Sequence, residues 1–307
     1  MSIFTLLSKK GPTGFSGADT AESVTKGLDL TGKTILLTGC NSGLGREALR
    51  VLTSRGARVI GLARTLEKAA EACRSAGNLA IPIACELSDP QGVRSAVAAV
   101  KALKVPLDAI MANAGIMALP KLKQAHGYEL QFFTNHIGHF ALIHGLLGLL
   151  TEKGRVVVMS SSAHRMAPKT GIEFGNLSGE RGYGAWKHYG QSKLANLLFA
   201  KELNRRFAGS SKTAYAVHPG VIATNLGRNM NPAANLLFGL VGPVFLKTIP
   251  QGASTEVFAA VHPEAPHFAG RYLADNNPST NSDLGDDAAL AKRLWEASEE
   301  IVRKTGG

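Results

Sequence analysis

From Lys33 onward the chain alternates short runs rich in β-branched residues with longer stretches of helix-like composition. The apolar runs are Thr34–Leu37, Arg58–Leu62, Leu79–Ala84, Leu107–Met111, Arg155–Met159, Ala214–Val217 and Tyr272–Ala274. Each is too short for a helix, and none alternates strictly between apolar and polar. That is the pattern of parallel strands covered on both faces. Between them lie helix-length segments such as Arg46–Arg55, Gln91–Leu103, Tyr128–Leu150 and Tyr189–Phe207. Repeated strand–helix–strand units predict an α/β fold, a doubly wound parallel sheet flanked by helices on both faces.

No low-complexity linker interrupts the array, and no repeat recurs at solenoid spacing. One domain over residues 28–307 is expected, preceded by a flexible arm over residues 1–27 that is rich in Gly, Ser and Thr. The apolar stretch 225–250, broken by Gly and Pro, reads as a segment covering a ligand site.

At 307 residues and 45% hydrophobic content, the chain has ample material for a core, which excludes disorder and fibrous classes. Thirty-four basic against 23 acidic residues leave a net charge of +11, favouring anionic partners in general. The basic residues are spread over many helices without an aromatic-interleaved tract, so nucleic acid is not an expected partner. Cys40, Cys73 and Cys85 lie far apart and make no CxxC pair, giving no disulfide framework, as suits a cytoplasmic protein. His136 and His139 are three apart on an expected helix, but no HExxH pattern completes a metal site, and none is expected. No apolar stretch is long enough for a transmembrane span. Ile3, Phe4, Leu6 and Leu7 leave a weak membrane-surface contact open beside a frayed terminus.

The first strand runs into Gly39-Cys40-Asn41-Ser42-Gly43-Leu44-Gly45 and then a helix. Glycines at 39, 43 and 45 allow a tight turn and close approach to a diphosphate, and the helix N-terminus supplies free N–H groups and a positive dipole end. In a first strand–helix unit this is the Rossmann-type dinucleotide loop. At the exit of the second strand stands Arg64, where an acidic residue would favour NAD(H). A guanidinium there attracts a 2′-phosphate, so NADP(H) is preferred over NAD(H). The other reading of Arg64 is a solvated surface arginine.

Tyr189-Gly190-Gln191-Ser192-Lys193 opens an expected helix. Four residues apart, Tyr189 and Lys193 share a face, and a nearby ammonium is expected to lower the tyrosine pKa. Such a tyrosine exchanges protons with a carbonyl or alcohol. Ser160-Ser161-Ser162 and Asn113-Ala114-Gly115 follow strands at the C-terminal edge of the sheet, where open α/β folds bind ligands. Asn135 lies on the helix after the second of these.

Together and in this order, these motifs resemble the short-chain dehydrogenase/reductase family from about Lys33 to the C-terminus. The resemblance implies an oxidoreductase with Tyr189 as general acid/base and Lys193 holding the nicotinamide ribose. It implies Ser161 on the substrate oxygen and Asn135 ordering a water relay to Lys193. His218-Pro219-Gly220-Val221-Ile222-Ala223-Thr224 is similar to the segment over the nicotinamide, which places Pro219, Gly220, Ile222 and Thr224 at the cofactor. Glu86, before Leu87, stands where the family commonly has Asp near adenine, and Ala112 replaces a frequent second asparagine. Asn135–Phe140, Ser161–His164, Gln191–Asn196 and Ala291–Glu296 are similar to the retinol dehydrogenase-like branch.

That branch implies a hydrophobic carbonyl or alcohol substrate. Met166, Phe174, Tyr183 and Trp186, in the insert between Ser161 and Tyr189, either wall a roomy apolar pocket or pack the insert onto the domain. The second function the sequence admits is a non-catalytic NADP(H)-sensing or scaffold protein, and either could be a homo-oligomer.

Overall fold

A computed structural model describes residues 8–222 and 246–306. Its main sheet has eight strands. These are β1 (Thr34–Thr38), β2 (Arg58–Ala63), β3 (Ala80–Ala84), β4 (Leu107–Ala112), β7 (Leu150–Met159), β8 (Thr213–His218), β9 (Tyr272–Ala274) and β10 (Asn277–Pro278). The remaining pair, β5 (Gln124–Ala125) and β6 (Tyr128–Glu129), forms a separate small ribbon. Spatial order is β10-β9-β8-β7-β4-β1-β2-β3, and every contact is parallel except that of β10 with β9. The chain leaves β1 outward through β2 and β3 and then returns to place β4 on its other side. The switch point therefore lies between β1 and β4.

Strand residues divide by parity between two cores, because successive side chains point to opposite faces. Leu36, Ile60, Ile110, Val156 and Val158 join one core. Ile35, Leu37, Val59, Met111 and Val157 join the other. Both faces are covered, which is why the runs are continuously apolar. On the second face lie α1 (Gly43–Ser54), α2 (Leu66–Ala76) and a later helix, Ile249–Val261. On the first lie α3 (Pro90–Ala102), a composite helix α4 and α5 (Ala185–Arg206). We number the Ile249–Val261 helix α6 and the last, Ala288–Lys304, α7. Helix α7 lays Trp295 against Phe140 and Phe199, while Arg206 stacks on its indole.

Four expectations change. First, α4 is not one regular helix over 128–150. Tyr128 and Glu129 belong to the ribbon; then come Leu130–Phe132, a π-helical turn Phe133–Ile137, and an α-helical run Gly138–Leu146. Second, α5 begins at Ala185, so Tyr189 sits a turn inside it rather than at its start.

Third, the arm is anchored from Ser8 onward. Asn277 accepts from the Thr13 amide and hydroxyl, Asn276 donates to the Ser16 carbonyl at 2.7 Å, and Phe15 packs edge-on to Phe258. Thr20 and Ser23 close a capping box on a short helical turn. Polar sequence there serves backbone pairing, not solvation. Residues 3, 4, 6 and 7 lie outside the described residues.

Fourth, the stretch expected to cover the site ends earlier than 250. Thr248 and Gln251 form a capping box, so Ile249 and Pro250 open α6, Pro250 standing where its missing N–H costs nothing. Most of that stretch, residues 225–245, lies outside the described residues. Among the described residues no helix is long and apolar enough to cross a membrane.

Candidate active site

The dinucleotide loop begins where β1 ends. Gly39 takes φ +72°, a left-handed turn, and its N–H and that of Cys40 both donate to the Leu62 carbonyl of β2. A Cβ on Gly45 would overlap the Gly39 carbonyl oxygen, so the loop closes only over glycine. Ser42 stands at the N-cap of α1 without a side-chain cap bond, which leaves the first-turn N–H groups to a ligand. Asn113 and Ala114 pack against the loop. The Asn113 amide donates to the Thr38 carbonyl at 2.9 Å, and the Ala114 N–H donates to the Thr38 hydroxyl at 3.0 Å. Leu44, at the start of α1, meets Ile222 over Gly252 of α6. This glycine cradle with an uncapped helix start fits a dinucleotide diphosphate.

Arg64 and Glu86, assigned separately from the sequence, are paired: Arg64 Nε lies 2.9 Å from Glu86 Oε2. The other Glu86 oxygen accepts from the Ser88 N–H and hydroxyl at 3.0 and 2.8 Å, which fixes the carboxylate. Leu87 buries its side chain in the core, where the close approach of Gly138 is made against the Leu87 backbone.

The proton machinery gathers at the ends of β4 and β7. Asn135 sits in the π-helical turn and clamps Ile116 in both directions: Oδ1 accepts from its N–H at 2.8 Å and Nδ2 donates to its carbonyl at 2.9 Å. Nδ2 also donates to Ser192 Oγ at 3.0 Å, and Ser192 Oγ donates to the Tyr189 carbonyl at 2.7 Å. Gly115 faces both Asn135 Oδ1 and Lys193 Nζ. Lys193 Nζ is buried and donates to the Met159 carbonyl at 3.0 Å; Asn196 donates to the same oxygen at 2.9 Å. Ser160 donates to the Lys193 carbonyl at 2.8 Å and is a brace for α5. Ser161 is the serine that faces Tyr189.

The expected lowering of the tyrosine by the lysine is not what this pocket does. Burial pushes Tyr189 up to about 12, with the Ser161 hydrogen bond acting against it. Lys193 is itself pushed down to about 8 by burial. Its Nζ stands 5.7 Å from the Tyr189 ring centroid, over the face rather than at the hydroxyl. Desolvation of both groups outweighs their attraction.

After β8, the His218 ring accepts from the Ser162 N–H at 3.3 Å, bringing His218-Pro219-Gly220 beside the serine turn. Ile222 makes a parallel bridge with Lys247, whose buried side chain pairs with Asp275. Thr224 lies outside the described residues. Of the four candidate wall residues, two pack the insert. Tyr183 donates to the Leu119 carbonyl at 2.6 Å, and Phe174 lies beneath the Arg293 guanidinium. Met166 and Trp186 remain exposed, and Trp186 sits edge-on to Tyr189 at 6.0 Å between ring centroids.

Sequence reading missed Ser192, Asn196, Thr38 and Lys247 as parts of this network. Ser192 and Asn196 carried a findable signal, since they lie three and seven residues after Tyr189 on the same helix. Lys247 carried none, because a bridge across chain positions far apart delivers it. The two histidines go separate ways: His136 pairs with Ser298 of α7 at 2.8 Å, and His139 turns toward Thr38.

A doubly wound sheet with this loop and a Ser–Tyr–Lys cluster at its switch edge defines a nucleotide-dependent oxidoreductase. The short chain dehydrogenase family model matches residues 33–235, and the chain belongs to that family. It is 39% identical to the short-chain dehydrogenase TIC 32 A, chloroplastic, of Brassica napus, over 98% of this chain and 99% of that one. It is 37% identical to human retinol dehydrogenase 14, over 88% of this chain and 86% of that one. A crystal structure from Mycobacterium Paratuberculosis matches with TM-score 0.74 and 33% identity, covering 94% of this chain and 97% of that one. The doubly wound parallel sheet and the retinol dehydrogenase-like character read from the sequence are thereby confirmed.

Proposed function

We propose that the protein is an NADP(H)-dependent oxidoreductase for hydrophobic ketones or aldehydes and the corresponding alcohols. The burial of Tyr189 and Lys193 one helical turn apart, with Ser161 beside Tyr189, carries this reading. When bound, the nicotinamide gives hydride to, or takes it from, the reacting carbon. Tyr189 Oη gives its proton to the carbonyl oxygen in reduction and takes it back in oxidation. Ser161 Oγ donates a hydrogen bond to the same oxygen, and Lys193 holds the ribose while Asn135 and Ser192 keep α5 in register with Ile116.

Arg64 supports NADP(H): its guanidinium stands at the exit of β2, where a 2′-phosphate would compete with Glu86 for it. Exposed Trp186 beside Tyr189 supports an apolar substrate, as does the name of the retinol dehydrogenase relative. A cofactor sensor would have no use for the Ser161–Tyr189 contact. The test is NADPH oxidation against a panel of apolar aldehydes and ketones with the parent and a Tyr189→Phe variant. The variant should bind NADPH with the parent affinity and lose turnover by a factor of about 100 or more. Turnover at the parent rate would overturn the mechanism.

A further inference from the structure

Cys40 and Cys73, far apart in the chain, meet over β2. Cys40 follows Gly39 in the dinucleotide loop, and Cys73 lies on α2. A Cβ built on Gly61 would stand 2.9 Å from the Cys73 sulfur and 3.1 Å from the Cys40 sulfur. Both thiols are buried, and only the missing side chain at Gly61 makes room for the pair. Cys85 is separate, in the core on the opposite face of the sheet. Nothing in the proton machinery uses either thiol of the pair.

We propose that Cys40 and Cys73 are a modification site: a reversible disulfide, formed by peroxide, that weakens dinucleotide binding at the adjoining loop. The inference rests on the dinucleotide reading of that loop. Cys40 is fully covered, whereas Cys73 keeps a slight exposure through which a small peroxide reaches it. Cys73 is therefore the attacking sulfur. Its thiolate breaks the peroxide O–O bond, giving a sulfenic acid and hydroxide. The Cys40 sulfur then displaces the sulfenic oxygen, the S–S bond forms, and the Cys40 proton leaves with that oxygen as water. With the hydroxide protonated, two thiols have been oxidised by two electrons and one peroxide has been reduced to two waters.

An S–S bond of about 2.05 Å is far shorter than a thiol–thiol hydrogen bond, so one partner must move. Helix α2 is held by Ala69 and Ala72 in the core, whereas the loop has no side-chain cap at Ser42. Cys40 is the residue that yields, and its displacement passes directly to the N–H groups of Asn41, Ser42 and Gly43. By linkage, a bound dinucleotide resists the disulfide by the factor with which the disulfide weakens the dinucleotide. A tenfold effect corresponds to about 30 mV in the reduction potential of the pair.

The experiment treats the full chain, first reduced with dithiothreitol, with hydrogen peroxide or diamide, with and without NADPH. Peptide mass mapping without reductant reads the cross-link, and NADPH fluorescence reads affinity. The expected result is a Cys40–Cys73 cross-link, a dissociation constant raised at least tenfold, recovery with dithiothreitol, and slower cross-linking when NADPH is present. A Cys73→Ser variant should keep the reduced-state affinity and ignore the oxidant, whereas Cys85→Ser should still respond. Absence of the Cys40–Cys73 cross-link, an unchanged affinity after it forms, or a persisting response in Cys73→Ser would overturn the proposal. Reduced protein that bound neither NADPH nor NADH would overturn the dinucleotide reading itself, and with it the coupling, whatever the thiols do.

Discussion

The Nδ1 of His139 lies 2.9 Å from the main-chain carbonyl oxygen of Asn135. A carbonyl only accepts, so Nδ1 carries the proton. Burial holds the ring pKa down to about 4, so near neutral pH Nε2 is bare and takes the Thr38 hydroxyl proton at 2.9 Å. One imidazole thus ties the π-helical turn to the end of β1. Where the turn breaks the regular helical ladder, a side chain bonds the carbonyl.

Replacing His139 with Phe removes both bonds and leaves buried partners at Asn135 and Thr38, at about 1–3 kcal/mol each. We expect kcat to fall by a factor of roughly 10 or more while KM for the carbonyl substrate moves little. A His139→Gln variant, which keeps an N–H donor, should recover part of kcat. Steady-state kinetics on the three proteins checks this, and a fall in stability with unchanged kcat would reduce His139 to a packing residue.

Arg64 and Glu86 make a competition for the guanidinium. Arg64→Ala should weaken NADPH roughly 10-fold or more and leave NADH nearly unchanged, the size expected for hydrogen bonds to a charged group. Glu86→Gln should shift the ratio the other way by releasing the arginine. Fluorescence titrations with the two cofactors give the ratio directly.

Glu256, buried on α6, has its carboxyl pushed up to about 8 by desolvation. An unfolded glutamate titrates near 4.3, so the unfolded chain loses this proton first. Stability from the neutral carboxyl is complete below about 4.3 and is lost as pH rises toward 8. Glu256→Gln should therefore gain stability over the parent as pH rises, by roughly a few kcal/mol at pH 8. Calorimetry from pH 5 to pH 8 measures it, and a constant difference would contradict a titrating Glu256.

Trp186 is exposed and borders Tyr189 edge to face. Trp186→Ala should raise KM for bulky apolar aldehydes by a factor of about 10 and leave small ones unaffected, since lost apolar contact scales with buried area. Kinetics against an aldehyde chain-length series reads the difference.

Strand positions were legible because both-face burial writes itself as continuous β-branched runs, and β7 shows this: its core segment Arg155–Met159 was plain. The proximity of Tyr189 and Lys193 was legible because they are one helical turn apart. The π-helical turn at Asn135 was not, since a shift of one hydrogen-bond partner changes no residue type. The pairings Arg64–Glu86 and Cys40–Cys73 were not, since one depends on which strand ends become neighbours and the other on how α2 lies over β2. The anchored arm was missed because hydrogen bonds to Asn276 and Asn277 use the same polar residues that a loose tail would.

Helix α7 has one consequence for synthesis of the chain. Phe140 on the Asn135 helix and Phe199 on the Tyr189 helix share Trp295 as their cover. A ribosome delivers that indole some hundred residues after Phe199, so the nascent protein holds all its reactive groups while their outer packing is still in the exit tunnel. Until Trp295 emerges, the faces of Phe140 and Phe199 that it covers stand open to water.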